Sequence, residues 1–292
     1  MRVLLVTDWV PDEGGVEAYV SLLRDELLRA GDDVRLLTSN AGSAAAGAAD
    51  YVTHGSTNDA AQTVLQVVNP FAVRTLRAAL REFRPDVVHV SMFEMHLSPA
   101  IFQALAGVPT VLNVAYYKPI CPIGLKLLPD GSRCTVPPGL VCWRSGCVSL
   151  PHWLRDRPRY ALIDRALSGT TEILVCSDWL RRELARHGVE SVEIPYPVLP
   201  AFEGYRRAPA EAPTFLYVGR LAVEKGVDVL LRAFARLLRR EPEAALRVAG
   251  DGPERARLEG LTHALGIEES VVFCGRLDPR GVERELAGAW AL

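Results

Sequence analysis

The sequence predicts an α/β protein built on parallel sheet, and three observations carry that expectation. Short apolar runs recur along the chain, among them Val3-Leu4-Leu5-Val6, Val34-Arg35-Leu36-Leu37, Val87-Val88-His89-Val90 and Phe215-Leu216-Tyr217-Val218. Two are uninterrupted and two carry a single polar residue, Arg35 or His89, and none shows the strict alternation of a strand with one face in water. Segments of helical periodicity separate them, so strand and helix alternate and helices cover both faces of the sheet. At 292 residues the chain has room for two domains of ordinary size.

Composition narrows the class. Hydrophobic residues make up 49%, charged residues 23%, and the formal net charge is −2, the balance of a soluble globular protein. That charge gives no electrostatic case for nucleic acid as a partner. The first apolar run stops at Asp8, which reads as a buried first strand rather than a signal peptide. No stretch approaches the roughly 18 uninterrupted apolar residues of a membrane span. The expected location is cytoplasmic.

Taken in order, the first strand is followed by a loop, Asp12-Glu13-Gly14-Gly15, and then by a helix with Val16, Tyr19, Val20, Leu23 and Leu27 on its apolar face. Glycine between a first strand and a helix lets backbone approach a phosphate, although any tight turn can use it. The G-x-G-x-x-G of dinucleotide-binding proteins is absent, which argues against a dehydrogenase. Residues 41–49, rich in small side chains, read as a flexible loop. A helix is expected over 71–83, stopped by Arg84-Pro85. The next strand presents His89 and Ser91 at its end. Another helix is expected over 101–106, before the strand Thr110-Val111-Leu112-Asn113-Val114.

Residues 121–147 break the rhythm. Cys121, Cys134, Cys142 and Cys147 are spaced C-x12-C-x7-C-x4-C within a segment rich in glycine and proline. In a chain without a secretory signal a disulfide framework is not expected. Four thiols can bind structural zinc as a tetrathiolate, but the C-x2-C knuckle is missing. An iron–sulfur site, or reduced thiols that simply pack in a loop, are the alternatives. The segment from His152 to Leu167 is basic and partly apolar. It can rest on an anionic membrane as a peripheral contact, or on a lipid-linked acceptor; the plainer expectation is a surface helix with solvated arginines.

Ile173-Leu174-Val175-Cys176 reads as the last strand of a first domain spanning residues 1–200. Prolines mark a linker over 201–212, and a second domain follows over 213–292. Its opening unit is strand, turn, helix, strand, turn. Gly219 ends the strand, Arg220 and Lys225 follow in the turn, and Val229, Leu230, Ala233, Phe234 and Leu237 recur at helical spacing. The second strand closes on Gly250-Asp251-Gly252. Cations at the carboxyl end of a strand and the start of a helix suit a diphosphate. An isolated arginine and lysine in a loop are ordinarily only solvated charges.

The wording G-R-L-x-x-E-K-G followed by G-D-G-P-E is more specific than that. It resembles the nucleotide-sugar-binding half of GT-B glycosyltransferases, in particular the retaining enzymes of glycosyltransferase family 4. The likeness runs through the whole chain and is densest over residues 215–276. It implies two Rossmann-like, doubly wound parallel-sheet domains, the second incomplete here. The resemblance gives Arg220 and Lys225 the task of neutralising the leaving diphosphate of a nucleotide-diphosphate sugar, with no metal required for catalysis. Gly14, Gly15 and Gly219 match the loops beside the donor phosphates, and Glu17 matches the acidic position of a G-G-x-E loop. On this reading a glycan or lipid-linked acceptor occupies the first domain, near Glu17, His89 and Asn113. The cysteine insertion resembles a structural element shared by a subset of the family.

Departures from the family pattern are visible. Where relatives with this insertion carry T-x-H-D-Y, this chain has Asn113-Val114-Ala115-Tyr116-Tyr117, and Tyr196 stands where asparagine often follows I-P. An E-x7-E segment that contacts donor sugar and ribose is expected beyond Leu292. A nucleotide-sugar epimerase on the same architecture and a non-catalytic donor- or partner-binding relative are therefore kept as rivals.

Overall fold

The structure, a computed structural model, describes residues 1–8, 15–41, 49–196 and 206–292, without the side chain of residue 17. The chain forms two compact units, Met1–Pro197 and Val198–Leu292.

The first unit holds β1 (Arg2–Val6), α1 (Gly15–Arg29), β2 (Asp33–Ser39), β3 (Tyr51–Thr53), α2 (Asp59–Leu65), α3 (Pro70–Phe83), β4 (Val87–Val90) and β5 (Thr110–Val114). It continues through α4 (Leu140–Arg144), α5 (Leu150–Gly169), β6 (Glu172–Val175), α6 (Asp178–Arg186) and β7 (Val192–Glu193). The strands are all parallel, in the order β3-β2-β1-β4-β5-β6-β7. The direction of winding reverses between β1 and β4, the point at which open α/β sheets leave a crevice at their carboxyl ends. Side chains alternate across the sheet. Leu4, Val6, Val88, Val90, Leu112 and Val114 enter one core with Leu76 and Phe83 of α3 and Ile163 of α5. Val3, Leu5, Val34 and Leu36 enter the other, with Val20 of α1. Each such burial contributes about 2 kcal/mol.

Local chemistry sets the element ends. Asn69 caps α3, its side chain accepting from the amides of Phe71 and Ala72, and Pro70 follows as the first helical residue. At the other end Arg84 takes a left-handed conformation ahead of Pro85, which cannot extend a helix. The helix expected over 101–106 is instead a short 3-10 turn, Pro99–Gln103. Pro99 stands at its start, and the bonds close three residues back rather than four: Ile101 N donates to Ser98 O, Ala104 N to Ile101 O and Leu105 N to Phe102 O, at 3.3, 2.9 and 3.2 Å.

The second unit holds β8 (Thr214–Val218), α7 (Val227–Leu237), β9 (Ala245–Ala249), α8 (Arg255–Leu265), β10 (Val271–Gly275) and α9 (Pro279–Gly288). Its parallel strands run β10-β9-β8, over a core of Leu231, Phe234, Leu246, Val248 and Leu258. Beyond α9 the chain comes alongside the free edge of β8: Ala291 makes a parallel bridge to Phe215, and the Leu216 amide donates to the Ala291 carbonyl at 2.9 Å. Part of the stretch read as linker belongs to this unit. The amides of Ala208 and Ala210 donate to the carbonyls of Ala287 and Gly288 at 2.9 and 3.0 Å, at the end of α9. Residues 201–205 of that stretch, and 42–48 of the loop expected over 41–49, lie outside the described residues.

Candidate functional site

In the second unit the site is built by backbone. The turn after β8 and the turn after β9 are laced together: Gly219 N donates to Ala249 O, Leu221 N to Asp251 O and Glu254 N to Leu221 O, at 3.0, 2.9 and 3.1 Å. This explains both glycines of Gly250-Asp251-Gly252. A Cβ on Gly250 would lie 1.9 Å from the Gly219 carbonyl oxygen, and one on Gly252 would lie 2.3 Å from that of Leu221. Only glycine permits such an approach. The turn so held carries Arg220 and, through the 3-10 turn Val223–Lys225, delivers Lys225 just before α7. Gly226, left-handed at φ 64°, is the N-cap of that helix and no side chain caps it. The Val229 amide donates to the Gly226 carbonyl at 3.0 Å, which leaves the amides of Val227 and Asp228 at the helix start to meet an anion.

Both cations face outward. Arg220 is 69% exposed, its one ion-pair contact among the described residues being a long one of 3.6 Å to Glu224, and Lys225 is exposed. Buried structural arginines are paired and hydrogen-bonded; this one is not spent on the fold. Gly219 sits under the ring of Tyr217, whose hydroxyl would be 2.8 Å from an added Cβ and donates to the Arg220 carbonyl at 3.2 Å. The sequence reading of Arg220, Lys225 and Gly219 as one loop thus corresponds to one rigid turn.

The first unit treats the carboxyl ends of its strands differently. His89 lies within β4, 8% exposed, and burial pushes its imidazole down to about 4. Its ring meets that of Tyr19 with centroids 5.9 Å apart, and the Tyr19 hydroxyl is 3.5 Å from Nε2. Tyr19 in turn stacks on Tyr196 at 4.7 Å, and the Tyr196 hydroxyl accepts from Nδ2 of buried Asn113 at 3.0 Å. His89 and Asn113 are therefore brought into one cluster by two tyrosines, and the departure at Tyr196 has a structural use. Gly15 begins α1. Gly14 and the side chain of Glu17 lie outside the described residues.

Beside β1 and β4 is a buried polar network that sequence reasoning missed. Both oxygens of Asp8 accept backbone amides: Met95 at 2.8 Å on one, His96 and Leu97 at 2.8 and 2.7 Å on the other. Glu94 is buried and accepts the Tyr116 hydroxyl at 2.5 Å. Burial, then the nearby Asp8 charge, raises its carboxyl above the ordinary carboxylate range. Arg159 donates to the Glu94 carbonyl at 2.9 Å. The arginines of the 152–167 segment were expected to be solvated, and for Arg159 that is corrected: it is 1% exposed. A signal was available in Asp8 at the end of β1 and in Glu94-Met95-His96 after β4, charges where a buried sheet meets its loops.

Cys121 and Cys142 are buried, Cys134 and Cys147 half-buried, and all four thiols are free. Among the described residues no group of three or more His, Cys, Asp or Glu side chains is placed to hold a metal ion. The thiols have local partners instead: Cys121 Sγ accepts the Lys126 amide at 3.4 Å, and Cys134 Sγ donates to Val136 O at 3.8 Å. Burial raises the Cys142 and Cys147 thiols, and the nearby thiols of the same insertion raise them further: Cys121 and Cys134 act on Cys142, and all three others act on Cys147. What docks the insertion is charge. Buried Lys126 contacts His187 Nε2 at 3.0 Å, and Arg133 pairs with Glu183 of α6.

Comparison with known proteins agrees with the architecture. The model of the glycosyl transferase 4-like domain matches residues 14–197, most of the first unit and more than half the chain. The chain belongs to the glycosyl transferase 4-like family. Residues 204–292 of this glycosyltransferase relative match the model of glycosyl transferases group 1. The chain is similar to α-D-kanosaminyltransferase of Streptomyces kanamyceticus, 45% identical over 65 residues, covering 22% of this chain and 17% of that protein. It spans less than a fifth of the length of the first curated relatives it matches. Among solved structures it is similar to sucrose-phosphate synthase of Thermosynechococcus elongatus, with a TM-score of 0.66 at 21% identity over 99% of this chain and 74% of that one. It is also similar to Anabaena HepE in complex with UDP-glucose, at TM-score 0.60 and 14% identity over 99% and 72%. These likenesses show the GT-B fold. No helix among the described residues is long and apolar enough to cross a membrane.

Proposed function

We propose that the protein is a retaining glycosyltransferase that moves a sugar from a nucleotide-diphosphate sugar to a glycan or lipid-linked acceptor. The observation that carries this is the pair of exposed cations on the turn between β8 and α7, held by contacts that only glycine allows. As the bond between the sugar and the diphosphate breaks, negative charge grows on the departing phosphate oxygens. Arg220, Lys225 and the uncapped start of α7 meet that charge with donors already in place, so little reorganisation accompanies the step. The solved relative bound to UDP-glucose supports a donor of this class. The first unit takes the acceptor, with the rim of the Tyr19, His89, Asn113 and Tyr196 cluster at the ends of its strands.

Calorimetric titration of the 292-residue chain with UDP and with GDP tests the donor half. One of them binds the parent, and Arg220→Ala and Lys225→Ala each weaken binding about 10- to 100-fold, the worth of a charge-assisted hydrogen bond. Both residues are exposed, so thermal stability stays unchanged. Equal binding by parent and variants sinks the proposal.

A further inference from the structure

A cavity of about 230 Å³ lies between the cysteine insertion and α5. Pro122 and Pro138 of the insertion and Trp153, Asp156, Tyr160 and Asp164 of α5 line it. Its size is below the roughly 300 Å³ at which pockets for drug-sized ligands begin, and suits a single ring.

The chemistry of the lining is specific. Trp153 and Tyr160 both have their polar atoms committed: the indole Nε1 donates to the Gly139 carbonyl at 3.1 Å, and the phenol donates to the Lys118 carbonyl at 2.7 Å. Their polar atoms are thus already taken, and Arg157, which also lines the cavity, lies over the Trp153 ring at 5.4 Å from its centroid. Asp156 is the reverse case. It is 4% exposed, its Oδ1 is engaged by Arg155 at 2.8 Å, and its Oδ2 is buried with no hydrogen-bond partner among the described residues. A buried carboxylate oxygen left unpaired costs free energy, and a ligand that donates to it recovers that cost. The charge of Asp156 is already balanced, by Arg155 at 2.7 Å and Arg159 at 3.9 Å, so a cation finds little field to enter. A hydroxyl donor finds an acceptor.

We propose that this cavity is a carbohydrate subsite, taking one neutral pyranose ring of an acceptor glycan. The apolar C–H face of the ring lies on Trp153 and the prolines, and ring hydroxyls donate to Asp156 Oδ2 and to Asp164. The acceptor class is then a neutral glycan, recognised in part through the insertion. The purpose of the subsite rests on the transferase reading, but the binding itself needs no donor.

The experiment titrates the chain with maltotriose, cellotriose and mannotriose, following heat and tryptophan fluorescence. Ala161 borders the cavity and is exposed on α5, so Ala161→Phe fills the space without disturbing a buried contact. At least one of the three sugars binds the parent, and Ala161→Phe and Trp153→Ala each weaken it tenfold or more. Ala161→Phe keeps the parent's melting temperature and its affinity for UDP or GDP, which separates this site from the donor turn. No binding of any of the three sugars, or binding untouched by Ala161→Phe, overturns the subsite and leaves the donor reading standing. Loss of nucleotide binding in Arg220→Ala with sugar binding intact supports the subsite as a separate site.

Discussion

The two units share a winding pattern and use it oppositely. In each, the first strand has the second strand on one side and a later segment on the other: β1 between β2 and β4, β8 between β9 and the bridge at Ala291. In the first unit the charges at the carboxyl ends of the strands turn inward. Asp8, Glu94 and Arg159 are buried and their bonds go to backbone and to Tyr116. In the second unit Arg220 and Lys225 at the equivalent end turn outward, and glycine backbone does the holding. A charge spent on the fold cannot also be offered to a ligand. The comparison therefore assigns stability to one set and binding to the other, and substitution should separate them.

The largest expected effect is on the inward set. Asp8→Ala removes the acceptor for three buried amides at once, those of Met95, His96 and Leu97. Unsatisfied buried donors cost about 1–3 kcal/mol each, partly offset because the buried carboxylate is gone, for a net loss of about 4 kcal/mol. Urea unfolding followed by circular dichroism measures it. Asp8→Asn keeps the oxygen that serves two of the three amides and loses less. If Asp8→Ala is no less stable than Arg220→Ala, the contrast between the units is broken.

A second effect sharpens the contrast through pH. Burial holds the His89 imidazole neutral, down at about 4 against 6.5 for the free side chain. Its folded value is depressed, so its contribution is present above pH 6.5 and is lost as pH falls from 6.5 toward 4, where the unfolded chain binds the proton first. The loss attributable to this residue is about 3 kcal/mol. Comparing the pH dependence of unfolding for the parent and His89→Leu isolates it: the variant has a shallower acid limb. Glu94 acts with the opposite sign. Its carboxyl is raised, so its share of stability is greatest below its unfolded value and falls as pH rises through the folded one.

How far this could be read from sequence follows the same division. Parallel sheet, two units and the Arg220–Lys225 turn were all visible, because buried strands write continuous apolar runs and a cation-bearing glycine turn is a local signature. The inward network was not, because it joins residues distant in the chain. Nothing near Arg159 shows that its guanidinium ends at Glu94, a partner 65 positions away. On a helix with five other charged residues between 152 and 167, it reads as one solvated arginine among several. The docking of the cysteine insertion was hidden for the same reason: spacing counts its thiols, but Lys126 and Arg133 find their partners, His187 and Glu183, on or beside α6.

The smallest expected effect concerns the boundary between the two behaviours. Asn113 reads from sequence as an acceptor-side residue, yet its amide nitrogen donates to the Tyr196 hydroxyl at 3.0 Å. If that bond is part of the fold, Tyr196→Phe leaves a buried donor unpaired and destabilises the first unit by about 1 kcal/mol, with the stack on Tyr19 retained. Tyr196→Asn, the residue of the family pattern, removes the stack as well and costs more. Thermal melts of the two variants distinguish the cases. Equal stability of Tyr196→Phe and parent means that Asn113 finds another partner as readily, and its amide then belongs with Arg220 among the groups a ligand can claim.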